Sequence, residues 1–297
     1  MTPWHRHPYN RAAFYRLAET MRWVPRTVRL VLARRLGHLA LHRLPAERAV
    51  VRRTLGIITG ASGRRLDELT AGVFRDFAMC FSDLVSTNRL STTRLGSYVA
   101  SVEGAEHVGA VSGGLVSVTA HVGNWELAGR LLAARSARRT HVVVAPDEAP
   151  DLERWVRRNG DGVRFVPRAH PRVGIELLRC LRRGDAVALQ GDRAIGGRGD
   201  VWIPFFGRLA PFPLGPFVLA RAARVPVAPA FCVLDRGHRY TVRVAAPITV
   251  DRGEEEAAAR AWVGLLEDVV REYPTQWFNF FDVWEGMPVE VNGRAGR

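Results

Sequence analysis

The sequence predicts an α/β protein: a mixed, largely parallel central sheet flanked by helices, preceded by a basic, amphipathic helical layer. Two observations predict it. From residue 115 onward, short β-branched runs alternate with stretches of helical period, the texture of strands joined by crossover helices. Before residue 90, apolar residues recur at three- and four-residue spacing. With 297 residues, 47% of them hydrophobic, the chain can bury a large core. No Pro/Ser/Gly-rich linker separates two cores. A helical layer over 1–90 and an α/β core over 91–297 are therefore expected to form one integrated domain.

In chain order, residues 1–10 read as an irregular lead, with His5 and His7 on a surface segment. Residues 11–44 read as one or two helices broken near Pro25, since proline removes a backbone donor and clashes with the preceding turn. In the second, Val28, Val31, Leu32, Leu36, Leu39 and Leu41 are interleaved with Arg26, Arg29, Arg34, Arg35 and Arg43. An apolar stripe with basic flanks suits a helix lying in a membrane interface, and equally one packed on the core with a solvated basic face. Residues 46–62 form another helix, ended by the turn Gly60-Ala61-Ser62-Gly63. Residues 65–90 follow, with Leu66, Leu69, Val73, Phe74, Phe77 and Phe81 at helical spacing, either core or the lining of an acyl-chain groove. The predicted strands are 115–121, 140–146, 163–167, 186–191, 225–234 and 240–246. Helices are predicted at 125–136, 151–159, 171–183, 214–223 and 254–273.

Composition excludes several chemistries. All 43 basic residues are arginine. There is thus no Walker A lysine, no Schiff-base lysine and no Ser-Lys dyad. Cys80, Cys180 and Cys232 sit singly in apolar runs, which suits buried thiols and neither a disulfide framework nor a zinc site. Neither His-Glu-x-x-His nor Gly-x-Ser-x-Gly occurs, so no metal and no serine nucleophile is expected. The net charge is +14, and residues 1–55 hold twelve arginines against Glu19 and Glu47. That asymmetry points to an anionic surface, membrane or nucleic acid. The arginines alternate with Leu and Val and no nucleic-acid module is recognisable, which favours membrane. No secretory leader is expected, and no uncharged apolar run reaches the ~18–20 residues of a spanning helix.

The chemistry-bearing stretch is 115–130. It opens as a strand, Leu115-Val116-Ser117-Val118, and closes as a helix from Trp125, with Asn124 as N-cap and Glu126 in the first turn. Between them His121 stands at a strand exit, where Gly123 lets the backbone turn. Sites in α/β folds gather where strands end and helices begin. A carboxylate beside an imidazole fixes its tautomer and stabilises the imidazolium, the arrangement of a general base. Glu126 can reach back to His121. A second acid, Asp192, stands with Arg193 at the exit of the strand 186–191, before a glycine loop, where an anionic ligand is suited. Ile203-Pro204-Phe205-Phe206-Gly207-Arg208 is too apolar for a plain loop. Tyr273 to Trp284 carries six aromatics in twelve residues, suiting a core plug, a stacking surface or a lipid-facing lip. The backbone N–H groups of Gly123, Asn124 and Trp125 at a helix start are placed to hold an oxyanion.

In this order, His-Val-Gly-Asn-Trp-Glu, Asp-Arg with its glycine loop, Pro-Phe-Phe-Gly, Val-Pro-Val-Ala-Pro and Tyr-Pro-x-Gln-Trp-Phe resemble the bacterial late acyltransferases of lipid A synthesis and the phosphatidylinositol mannoside acyltransferases. Both are lysophospholipid acyltransferase-like. The resemblance covers roughly 45–285. It implies that His121 and Glu126 form a His-x4-Asp/Glu acyltransfer motif, with His121 taking the acceptor's proton. Asp192 and Arg193 match the second acidic-basic block; whether Glu126 or Asp192 pairs with His121 stays open. Phe205, Phe206 and Gly207 fall near the acceptor and acyl sites, and Arg157 or Arg158 matches an Arg-then-Gly segment. The expected co-substrate is acyl-CoA or acyl carrier protein, with no cofactor, and the acceptor a hydroxyl or amine of a lipid or glycolipid. Anionic lipid is the expected partner and nucleic acid is not; Arg26, Arg29, Arg34 and Arg35 would touch the membrane. A monomer at the cytoplasmic face of the bacterial inner membrane, peripheral or monotopic, is expected. Where lipid A enzymes read Arg-Trp-Lys, this chain reads Asp282-Val283-Trp284-Glu285, which points away from a strongly phosphorylated acceptor. A hydrolytic or merely lipid-binding relative is the rival reading.

Overall fold

The computed structural model describes residues 20–87, 90–144, 162–194, 196 and 199–284. Its centre is a seven-stranded sheet in the order β1-β9-β8-β2-β5-β3-β4. The strands are β1 (Val99–Glu103), β2 (Leu115–Thr119), β3 (Thr140–Val144), β4 (Val163–Pro167), β5 (Ala186–Gln190), β8 (Val227–Leu234) and β9 (Tyr240–Val244). All neighbours run parallel except β8 and β9, which are joined directly and pair antiparallel. The mixed, largely parallel sheet is the one expected. A separate ribbon pairs β6 (Asp200–Phe205) with β7 (Arg208–Pro213).

β2 lies mid-sheet and every one of its five residues is buried. That explains its continuous apolar texture, since parallel strands are covered on both faces. Strand β1 was not legible. Only Val99 and Val102 are β-branched apolar residues in it, and it sits at the sheet edge, largely exposed. The β6–β7 ribbon was hidden by Pro204, Pro211 and Pro213. Proline is tolerated because both strands of a two-stranded ribbon have a free edge. Phe206 (φ 48°) and Gly207 (φ 74°) form its two-residue turn, with both residues in the left-handed region as a primed hairpin turn demands.

Among the described residues nine α-helices flank these strands: α1 (Arg26–Arg43), α2 (Pro45–Thr59), α3 (Gly63–Thr87), α4 (Thr92–Leu95), α5 (Ala105–Gly109), α6 (Trp125–Ser136), α7 (Val173–Arg182), α8 (Gly215–Ala223) and α9 (Glu255–Glu272). The break near Pro25 is real, since α1 begins one residue later. Gly60, at φ 66°, ends α2 in the left-handed conformation and returns its N–H to Gly56. The expected helix 151–159, with Arg157 and Arg158, lies outside the described residues. One buried cluster runs from Leu30 on α1 through β2 and β8 to Trp262 and Trp284, so the N-terminal helices share the core of the sheet.

Of the apolar stripe expected on α1, only Leu41 packs inward. Leu30, Ala33, Gly37 and Leu41 point inward, whereas Val28, Val31, Leu32, Leu36 and Leu39 are 38–61% exposed. Small residues set this orientation. A Cβ on Gly37 would fall 2.5 Å from the Phe74 carbonyl oxygen, so glycine lets α1 lie directly against α3. Two of the four arginines expected at the membrane also turn inward. Arg26 (2.6 Å) and Arg29 (2.9 Å) both pair with Asp83 of α3, whose side chain is fully buried. The Tyr240 hydroxyl donates to the same carboxylate at 3.1 Å. Arg34 and Arg35 stay exposed.

Removing a buried carboxylate from this cluster leaves Arg29 desolvated and unpaired, which costs about 3–5 kcal/mol. Asp83→Ala is therefore expected to lower the unfolding free energy in urea by that amount. A loss under about 1 kcal/mol, the range of exposed pairs, would show that the cluster does not fasten α1.

Candidate active site

The site forms where β2 and β5 end, side by side. β2 delivers His121 two residues past its last paired residue, and β5 delivers Asp192 at the matching place. Gly191 makes this closeness possible: its N–H donates to the Thr119 carbonyl at 2.8 Å, and a Cβ there would meet Val118 at 2.7 Å and Trp262 at 3.0 Å. Gly123 is required twice over. Its φ is +54°, and a Cβ would fall 2.0 Å from the Cys232 carbonyl oxygen. Asn124 then caps α6, its Oδ1 accepting from the Leu127 N–H at 3.2 Å.

Asp192 is the carboxylate that binds the His121 ring at Nδ1. Its Oδ1 lies 2.8 Å from Nδ1. Its Oδ2 accepts from the backbone N–H of His121 at 3.0 Å and from the Trp277 indole N–H at 3.0 Å. The Asp192 side chain is fully buried, and that of His121 is 10% exposed. Burial acts to raise the Asp192 pKa. The charge and hydrogen bonds of His121, with the charge of Arg193, outweigh it and hold the carboxyl well below the usual carboxylate range. An ionised carboxylate only accepts, so Nδ1 carries the hydrogen and Nε2 is the basic nitrogen.

The third wall is the segment after α9. The 3₁₀ turn Pro274–Gln276 leads into Trp277, which bridges Val122, while the Phe278 N–H donates to the His121 carbonyl at 2.8 Å. Arg193 holds this segment down. Its Nε donates to Asn279 Oδ1 (3.2 Å), its Nη2 to the Phe278 carbonyl (2.9 Å), and its guanidinium sits 5.3 Å from the Phe281 ring centre. Desolvation lowers its pKa to about 10, against the opposing charge of Asp192. The contacts of Arg193 shown here are thus within the protein.

The other expected residues divide. Glu126 stands half-buried in the first turn of α6. The Trp125 ring lies 5.0 Å from that of His121. The N–H groups of Gly123 and Asn124 were expected at an oxyanion, but they donate to the carbonyls of Gln276 (2.9 Å) and Cys232 (3.0 Å). They fasten the turn, which leaves the N–H of Trp125, in the first turn of α6, as the backbone donor of the three. Phe205 is fully buried and supports the site indirectly, its ring edge against Trp277 at 5.2 Å. Phe206 and Gly207 form the ribbon's tip, packed on α9 through Glu267 and Arg271. Trp277 is the residue that the sequence did not single out. Its motif was visible, but nothing local shows that the indole reaches a carboxylate 85 residues earlier in the chain.

A narrow cleft of about 40 Å³ lies between α6 and the sheet, lined by Trp125, Glu126, Ala128, Gly129, Val142, Val143 and Leu189. Its walls are mostly apolar. Ser117 and Thr119 of β2 line it too, and alternation along a strand places His121 on the same face.

Phosphatidylinositol mannoside acyltransferases of two Mycobacterium tuberculosis strains, CDC 1551 / Oshkosh and ATCC 25618 / H37Rv, are each 27% identical to the chain over 191 residues. That region is 62% of this chain and 59% of theirs, so the match spans about three-fifths of the relatives' length. A model of the bacterial lipid A biosynthesis acyltransferases matches residues 9–285, nearly the whole chain, and the chain belongs to that family.

Proposed function

We propose that this protein moves a fatty acyl group from an acyl thioester, carried by CoA or acyl carrier protein, to a hydroxyl of a membrane lipid or glycolipid. The observation that carries this reading is the His121–Asp192 pair with its oriented Nε2. Nε2 takes the proton of the acceptor hydroxyl as its oxygen attacks the thioester carbonyl. The tetrahedral oxyanion collapses, the C–S bond breaks and the thiol leaves with the proton from His121. Asp192 stabilises the imidazolium between these steps without being protonated itself. The α6 N-terminus, with the Trp125 N–H, faces the developing negative charge favourably. The apolar cleft under α6, about 40 Å³ as it stands, lies on the sheet face that His121 shares and must widen to hold an acyl chain. A hydrolase would use the same pair with water as acceptor. Family membership and the mycobacterial relatives favour the lipid acceptor.

Membrane contact is assigned to the outer face of α1. Among the described residues no helix is long and apolar enough to cross a bilayer. Yet Trp23 is 78% and Leu36 61% exposed, beside Val28, Val31, Leu32 and Leu39. Several large apolar side chains on one exposed helix face mark an interaction surface, and arginines among them suit anionic headgroups. The cytoplasmic face of the inner membrane fits a donor carried by CoA or acyl carrier protein.

His121→Ala is expected to lower kcat by about 10²–10⁴ in an assay of acyl-CoA consumption with a lipid acceptor, without loss of fold. Asp192→Asn is expected to cost more than Glu126→Gln, because it reverses the polarity at Nδ1. Near-normal turnover in the alanine variant would remove His121 from the chemistry.

Leu32→Ser with Leu36→Ser and Leu39→Ser is expected to weaken sedimentation with anionic vesicles at least tenfold. Because these residues make no core contact, thermal stability should hold. Unchanged vesicle binding would place the membrane contact on another surface.

A further inference from the structure

The edge of the sheet opposite the active site holds a second group of reactive side chains, which acyl transfer does not use. His141 is the second residue of β3, Cys180 lies in the last turn of α7, and Asp185 stands in the turn that leads into β5. His121 and Asp192 follow the far ends of β2 and β5, so the whole length of β5, about 16 Å, separates the two places. Backbone bonds bring the three side chains together. Gly184, at φ 92°, reverses the chain after α7, and the Asp185 N–H then donates to the Cys180 carbonyl at 3.1 Å. The Ala186 N–H donates to the Arg139 carbonyl at 2.9 Å, and β3 pairs with β5 from Thr140 and Ala186 onward. His141 is thereby seated beside both.

Asp185 Oδ2 lies 2.9 Å from His141 Nε2, and Cys180 Sγ lies 3.9 Å from His141 Nδ1. Taking one donor atom from each residue, all three lie within 4.8 Å of one another. Among the described residues no other three His, Cys, Asp or Glu side chains come together in this way.

We propose that His141, Cys180 and Asp185 bind one divalent ion of the zinc class, which ties β3, α7 and β5 together at this edge. The first support is the donor set. Imidazole, thiolate and carboxylate are the groups that zinc takes, and a thiolate selects against magnesium and calcium. Bonds of about 2.0–2.3 Å place ligand atoms about 3.3–3.8 Å apart around a tetrahedron, so the side chains close in by about 1 Å and a water takes the fourth position. The Cys180 thiol gives its proton to solvent as the bond from sulfur to the ion forms. One thiolate and one carboxylate then neutralise the dipositive ion, so no net charge is buried.

The second support is Arg183, which marks where positive charge is wanted. Its Nη2 lies 3.3 Å from Cys180 Sγ and 3.5 Å from Asp185 Oδ2, so the guanidinium rests against two of the three donors. The Arg183 side chain is 60% exposed, and on its long arm it can swing into water as an ion enters. Asp185 is partly exposed on the same side, with His141 and Cys180 buried behind it, which gives the ion a way in. Spacing along the chain hides this set. His141 precedes Cys180 by 39 residues, so the sequence carries no ligand motif and no zinc site is expected from it.

The test is titration calorimetry of the whole, chelator-treated protein with zinc chloride, together with absorption spectra after adding cobalt(II). One equivalent of zinc is expected to bind, and cobalt is expected to give the charge-transfer band of a thiolate ligand. Cys180→Ala should abolish the band and weaken zinc binding at least tenfold. Asp185→Asn, at the partly exposed turn, should weaken it in the same direction. Arg183→Gln removes the competing cation and is expected to tighten zinc binding severalfold. Zinc should raise the melting temperature of the wild type and leave that of Cys180→Ala unchanged. Absence of saturable zinc binding overturns the proposal. So does an undiminished affinity or cobalt band in Cys180→Ala, which would put the ion on donors elsewhere in the chain. Arg183→Gln alters an exposed side chain and decides the matter if the cysteine variant does not fold: an affinity no tighter than wild type overturns the site.

Discussion

The Asp192 carboxylate is the constraint on which the site depends. It has no contact with water and must be ionised to orient His121, so every lone pair facing the protein needs a donor. The three donors come from two other places in the chain: the ring and backbone of His121 at the end of β2, and the indole of Trp277 after α9. A buried charge that draws its partners from separate segments cannot be satisfied until those segments are assembled. The chemistry is thereby tied to completion of the fold. Arg193, next in sequence, works in the same direction by tying down the Phe278 carbonyl and Asn279. The Asp-Arg pair acts as one device. The acid orients His121, and the arginine organises the segment that supplies the acid's remaining donor.

A second buried carboxylate does for α1 what Asp192 does for His121. Asp83 draws in Arg26 and Arg29 and so rotates the helix about its axis. With Gly37 seated against Phe74, the only packing left to the inner face is by small and aliphatic residues, and the larger apolar side chains are carried outward. The outward display of Leu32, Leu36 and Leu39 is thus a consequence of an ion pair on the opposite side of the helix. That ordering also explains what the sequence reading left open, which face of α1 the apolar stripe would take. Periodicity reports that α1 has an apolar face; it does not report that a glycine and two arginines compete for the inside and win.

Much of the fold was legible because its signals are local. Gly60 at the end of α2, Pro25 before α1, and the β-branched runs of β2, β5 and β8 act within a few residues of themselves. His121 was legible too, since a strand exit followed by a glycine and a capped helix is a local pattern. The choice between Glu126 and Asp192 was not, because it depends on β2 and β5 being neighbours, and a register 71 residues apart leaves no trace in either segment. The same is true of Trp277. Two of the three expected oxyanion donors are occupied for a related reason. A helix N-terminus usually offers free N–H groups, but two of those around Gly123 are taken by Gln276 and Cys232, segments that only the folded chain brings there.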